Sequence, residues 1–136
     1  MPVAIVRLGT PRHPQEGLRI GTVRRPPRGV PKSEFAKRDF YDVWYPNLAP
    51  AVPTMKLAQQ AQQAQQAQSE REWAAFVRKY RAEMATPDNA RTLDLLAALS
   101  QVANFSVGCY CEDEARCHRS ILRALLAERS AVIDRR

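Results

Sequence analysis

Apolar positions fall into short β-branched runs near the amino terminus and into helical periodicities further along. Val3-Ala4-Ile5-Val6-Arg7-Leu8, stopped by Gly9, predicts a buried strand. Thr10 to Gly17 contains two prolines and a glycine and predicts a surface loop. Leu18-Arg19-Ile20-Gly21-Thr22-Val23 predicts a second strand. Arg24-Arg25-Pro26-Pro27-Arg28-Gly29-Val30-Pro31 cannot extend it, because proline fixes φ and brings no N–H to a ladder. This leaves a rigid basic loop at a strand end, where open α/β sheets place ligands. A short helix is expected from Ser33 to about Arg38. Phe40 to Pro53, aromatic and proline-punctuated, reads as an irregular segment covering one edge.

Leu57 to Gln68 contains only Leu, Ala and Gln, mostly as a Gln-Gln-Ala repeat. A period of three does not match the 3.6-residue turn, so the alanines are expected to drift around the cylinder without forming one apolar face. The tract is therefore predicted as a helical or flexible, solvated insertion over residues 57–69. Trp73, Phe76, Val77, Tyr80 and Met84 keep helical spacing and predict a core-facing helix. Thr86-Pro87-Asp88 reads as the next helix start, with a capping hydroxyl, proline in the first turn and an early acid. Leu93, Leu96 and Leu99 are expected on that helix's inner face.

Phe105-Ser106-Val107-Gly108-Cys109-Tyr110-Cys111 alternates like a strand; Glu112 to Arg116 is a charged loop, and Cys117 to Leu126 reads as a helix. Strand, short loop and helix make the βα element of an α/β sheet. The fold expected is one compact α/β domain over residues 1–136. It has a small, mainly parallel sheet flanked by helices in a Rossmann-like three-layer arrangement.

Composition adds direction. The 136 residues hold 21 Lys+Arg against 14 Asp+Glu, a formal charge of +7, and residues 1–40 hold nine of those bases against three acids. The excess is amino-terminal and draws anions toward it. At 45% hydrophobic and 26% charged the chain sits in the globular range. No apolar run approaches the roughly 20 residues of a membrane helix, and no signal segment opens the chain, so no membrane partner and a cytoplasmic location are expected.

Three cysteines, all between Cys109 and Cys117, cannot all pair with one another. Cys109 and Cys111, two apart on a strand, share a face; Cys117 and His118 open the following helix, with Arg116 and Arg119 beside them. Four readings follow. Cys109, Cys111, Cys117 and His118 match the three-cysteine, one-histidine ligand set of structural zinc, without its usual separated knuckles. Alternatively, Cys111 is a nucleophile in a strand-to-helix loop with Arg116 five residues later, as in rhodanese-like loops, although Glu112, Asp113 and Glu114 would repel an anion there. In a third reading, Arg25, Arg28 and Lys32 meet Arg119 at one sheet edge and bind an anion, with Cys117 and His118 lining the pocket and His118 as candidate acid/base. The fourth is plain core packing.

The run Leu18-Arg19-Ile20 into Arg25-Pro26-Pro27-Arg28-Gly29-Val30-Pro31-Lys32, and Trp44 with Asn47-Leu48-Ala49-Pro50, resemble the bacterial domain-of-unknown-function family 488. So do the helix through Phe76 and Tyr80 and the ending Cys109-Tyr110-Cys111…Cys117-His118-Arg119-Ser120. The resemblance covers nearly the whole chain apart from the Gln-Ala tract. It implies a compact α/β domain whose basic loop and Cys-His-Arg turn form the site, and it implies no assigned activity. The function expected is binding or processing of an anionic ligand, a nucleotide or nucleic acid, at Arg25, Arg28, Lys32, Arg119, Cys117 and His118. A non-catalytic nucleic-acid-binding adaptor and a zinc-stabilised scaffold are the alternatives; zinc aside, no cofactor is called for.

Overall fold

The computed structural model describes residues 2–111 and 113–134. Four parallel strands, β1 (Val3–Arg7), β2 (Leu18–Gly21), β3 (Val43–Trp44) and β4 (Phe105–Cys109), form one sheet in the order β1-β4-β2-β3. Val107 lies opposite Ile5 on one side and Ile20 on the other, so β4 is a central strand buried along its whole length. That burial explains why its sequence lacks charge. Gly108 is required by the same closeness: a Cβ there would stand 2.6 Å from the Val6 carbonyl oxygen of β1. After its last helix the chain returns to bridge Val3 through Ile133 on the outer side of β1. The exit from β4 thus leads toward β1, while β2 leads toward β3. The two connections diverge between β4 and β2, which is the topological switch point of the sheet.

Four helices, α1 (Val52–Gln63), α2 (Gln66–Met84), α3 (Pro87–Leu99) and α4 (His118–Glu128), join one core with Val3, Ile5, Phe105 and Val107. Phe76, Tyr80, Leu93, Leu122 and Leu126 fill its centre. The α/β class and parallel sheet are as expected, but the third layer is not helical. The opposite face, carrying Arg19, Gly21 and Ser106, is closed by Glu16 from the loop before β2 and by Tyr41.

Local departures have physical causes. Two-residue β3 and a 3₁₀ turn at Pro46–Leu48 replace the irregular segment, and α1 starts at Val52 with proline in its first turn. The expected helix from Ser33 shrinks to a 3₁₀ turn at Lys32–Glu34. The Gln-Ala tract is helical but not solvated throughout: Ala58 and Ala61, one turn apart, are buried against α2. The chain reverses at Ala64–Gln65 before the three-residue drift can carry the alanines off that face. Thr86 does not cap α3; its hydroxyl donates to Glu83 O at 2.9 Å. Leu99 lies exposed, and Ala97 joins Leu93 and Leu96 inside.

Candidate functional site

At the switch point the two strand exits are tied together. The Thr22 N–H and hydroxyl both donate to Gly108 O, at 2.9 and 3.0 Å. The Tyr110 hydroxyl donates to Arg25 O at 3.0 Å, and the Arg24 guanidinium donates to Ala49 O at 3.0 Å. These bonds hold the start of the basic loop beside the end of β4. Between them opens a pocket of about 380 Å³ lined by Val23, Arg24, Arg25, Pro50, Val52, Met55, Lys56, Gln59, Cys109, Tyr110, Cys111 and His118. Most of its wall is apolar. Among the described residues the Arg25 guanidinium and the Lys56 ammonium make no hydrogen bond or ion pair.

The sulfur cluster forms one wall. Cys117 immediately precedes α4 and brings its Sγ to 2.7 Å from Cys109 Sγ, both residues being buried. Cys111 lies just past the end of β4 and is half-buried. Coupling to the neighbouring Cys109 and Cys117 thiols lowers the Cys111 pKa against the opposing cost of burial, and the charge of Arg119 acts in the same direction. Those two thiols are raised in turn. Cys109 rises through its bonds to Cys111 and Cys117 and through burial. Cys117 is lowered by its bond to Cys109 but raised more by Cys111 and burial, to about 11. Cys111 is thus the most accessible of the three sulfurs and the one whose pKa is lowered, with Cys109 and Cys117 buried and raised.

His118 has a defined tautomer. Its Nε2 lies 2.8 Å from Thr22 O, and a carbonyl has no proton to give, so Nε2 carries the hydrogen. Nδ1 then presents its lone pair toward Cys117 Sγ at 3.7 Å. Burial lowers the imidazole pKa to about 4, with the Thr22 bond opposing. It is neutral at pH 7, so it does not titrate near neutrality as an acid/base candidate would; it is a fixed acceptor behind the cluster.

The remaining expected residues separate. Arg25 lines the pocket. Arg28 and Lys32 are exposed and outside its lining. Arg119 is buried and donates to Cys111 O, which fixes the cysteine loop from below, and its Nε has no partner among the described residues. Arg116 stacks over Trp73 with its Cζ 5.5 Å from the ring centre. The acids of the loop do not all face an incoming anion: Glu114 pairs with Arg123 at 2.6 Å, and Asp113 caps the turn at Ala115 N. Glu112 lies outside the described residues.

Lys56, Met55 and Tyr110 were not anticipated. For Lys56 and Met55 the signal was present: Val52, Met55, Lys56 and Gln59 share one face of a helix once α1 is started at Val52 rather than left irregular.

The ligand atoms of Cys109, Cys117 and His118 lie within 4.8 Å of one another, a candidate metal-binding trio that Cys111 does not join. Two thiolates on one tetrahedral zinc stand about 3.8 Å apart, given Zn–S near 2.3 Å. The observed 2.7 Å separation is a thiol–thiol contact and would have to open by about an ångström to take the ion.

A parallel α/β domain with a thiol-lined crevice at its switch point is the class that fold and site define. The chain belongs to the DUF488 family: residues 3–130 match the family model DUF488-N3a, described as the active DUF488-N3 subclade. No curated protein and no solved structure matches it.

Proposed function

We propose that the switch-point crevice binds a small anionic ligand of the nucleotide type, with Cys111 as the reactive side chain that faces it. The observation that carries this reading is the meeting, in one pocket of about 380 Å³, of a half-exposed cysteine with two cations, Arg25 and Lys56, that have no partner among the described residues. Cations suit a phosphate or carboxylate, and walls of Val23, Pro50, Val52, Met55 and Tyr110 suit an apolar or aromatic body. A nucleotide offers both. The thiolate is the nucleophilic form of cysteine, and coupling to Cys109 and Cys117 lowers the Cys111 pKa toward it. Arg119 acts through Cys111 O as a positioning residue. The description of the matched subclade as active agrees with a chemical role.

The test is alkylation. Iodoacetamide should label Cys111 at a rate that holds nearly steady from about pH 8 to about pH 6, where an ordinary thiol of pKa about 8.5 would slow by roughly two orders of magnitude. Pyrophosphate or AMP should protect it, and Arg25→Ala should abolish the protection. Labelling that falls with pH like that of a free thiol, or that ignores both anions, overturns the reading.

A further inference from the structure

Beyond a nucleophile, the cluster contains two further thiols that binding an anionic ligand does not use. Cys109 and Cys117 have their sulfurs 2.7 Å apart and are both buried, and Cys111 packs against their cluster. Among the described residues all three are free thiols. A disulfide bond is about 2.05 Å long, so closing this pair brings the sulfurs nearer by well under an ångström. Buried thiols are poor targets for an oxidant in solution; Cys109 and Cys111 both line the pocket, but only Cys111 is half-exposed. We propose that the cluster is a two-electron redox site, in which Cys111 takes oxygen from a hydroperoxide and the oxidation is passed inward to a Cys109–Cys117 disulfide.

The chemistry balances in three steps. The Cys111 thiolate attacks the outer peroxide oxygen; the O–O bond breaks, Cys111 becomes a sulfenic acid, and the leaving alkoxide takes a proton and departs as the alcohol. The Cys117 thiol then attacks the Cys111 sulfur, forming a Cys111–Cys117 disulfide, and its proton leaves with the hydroxyl as water. Finally Cys109, already against Cys117, attacks the Cys117 sulfur and expels Cys111 as the thiolate while its own proton passes to solvent. Cys111 is the better leaving group of the two sulfurs, because it is half-exposed and departs toward water, while Cys117 is buried. The sum is one hydroperoxide and two thiols going to one alcohol, one water and one disulfide, with two electrons transferred and Cys111 regenerated. The pair joins the last residue of β4 to the residue immediately preceding α4, so the oxidised form ties the floor of the pocket.

The proposal rests on the reactive Cys111 of the preceding reading and not on its anionic ligand. Fully reduced protein treated with one equivalent of tert-butyl hydroperoxide should lose two hydrogens in the intact mass. Peptide mapping after alkylation should place the bond at Cys109–Cys117 and the label on Cys111. Cys111→Ser should slow the loss at least tenfold without moving its end point. Cys109→Ser should stop at Cys111–Cys117, and Cys117→Ser should leave sulfenic acid on Cys111, trapped by dimedone. Wild-type protein that gains oxygen at Cys111 without losing hydrogens, or that links only between chains, overturns the proposal while leaving the alkylation result standing. An inward disulfide in protein whose Cys111 ignores pyrophosphate and AMP separates the two the other way.

Discussion

Arg19 sits in the middle of a predicted strand and counts in the sequence toward the basic amino-terminal surface, yet it is the largest fully buried side chain. Its Nε and Nη2 donate to the two Glu16 carboxylate oxygens at 2.7 and 2.9 Å, its Nη1 donates to Thr10 O and Asp39 O, and Ser106 donates to Glu16 as well. A charge this deep is tolerable only with its partner. Glu16→Ala should therefore cost about 3–5 kcal/mol in urea denaturation, because it strands the guanidinium. The pH dependence has a definite sign. Burial raises the Glu16 pKa, but the bonds from Arg19 and Ser106 and the charge of Arg19 outweigh it and hold it below the ordinary range. The carboxylate's contribution is complete above the unfolded value of about 4.3 and is lost as pH falls below that toward the lowered folded value. Glu16→Gln should flatten that part of the stability curve, and an unchanged acid limb would disprove the assignment. The alternation of the strand showed that Arg19 and Ile20 face opposite ways. It could not show that the face opposite Ile20 is closed by loops and not by water, since that depends on Glu16 folding back three residues.

At the scale of elements, the Gln-Ala tract works against its composition. Read as a period-three repeat it has no face, but a helix needs only a few small residues in register to meet a neighbour. Ala58 and Ala61 supply them against α2, and the Ser69 hydroxyl closes the hairpin on Ala61 O. The tract also borders the cysteine loop: Ala61, Gln62, Gln66 and Ser69 line a second pocket with Cys111, Asp113 and Arg116. Ala61→Glu should destabilise by about 1–3 kcal/mol through overpacking and a buried charge. Gln60→Glu, one position away on the exposed side, should fall within about 0.5 kcal/mol of wild type. Equal thermal melts for the two variants would mean that the hairpin is not docked. The elements whose own pattern matched their period, namely β1, β2, β4, α2 and α4, were readable from sequence. Those set by tertiary partners were not: β3 exists because Ile20 and Gly21 offer it an edge, and Leu99 lies outside because Ala97 fills the core in its place.

At the scale of the whole molecule, the decisive fact is which basic residues share the crevice. The linear charge pattern put Arg25, Arg28 and Lys32 on equal terms, because sequence gives the loop's composition but not the direction it takes after Pro26 and Pro27. The fold keeps Arg25 at the mouth, adds Lys56 from a helix some thirty residues away, and leaves Arg28 and Lys32 outside the lining. The convergence of β2 and β4 at their carboxyl ends was legible, since both read as strands followed by charged loops; the presence of α1 above them was not. A pocket ligand and a nucleic-acid surface then differ in what each pair of charges does. If the crevice is the binding site, Arg25→Ala with Lys56→Ala should weaken AMP binding by roughly ten- to a hundredfold, the loss expected from one or two charge-assisted bonds. Arg28→Ala with Lys32→Ala should leave it within about twofold, because neither residue reaches the cavity and their field is screened beyond roughly 8 Å at physiological salt. If the protein is instead an adaptor on a polyanion, the order reverses. Arg28 and Lys32 then matter most with a duplex probe, and the logarithm of affinity falls with log salt at about −0.9 for each phosphate engaged. Titration of both double variants with AMP and with a short duplex, at two salt concentrations, separates the cases. Loss of AMP binding confined to the Arg28 and Lys32 variant would remove the crevice from consideration, whatever the reactivity of its thiols.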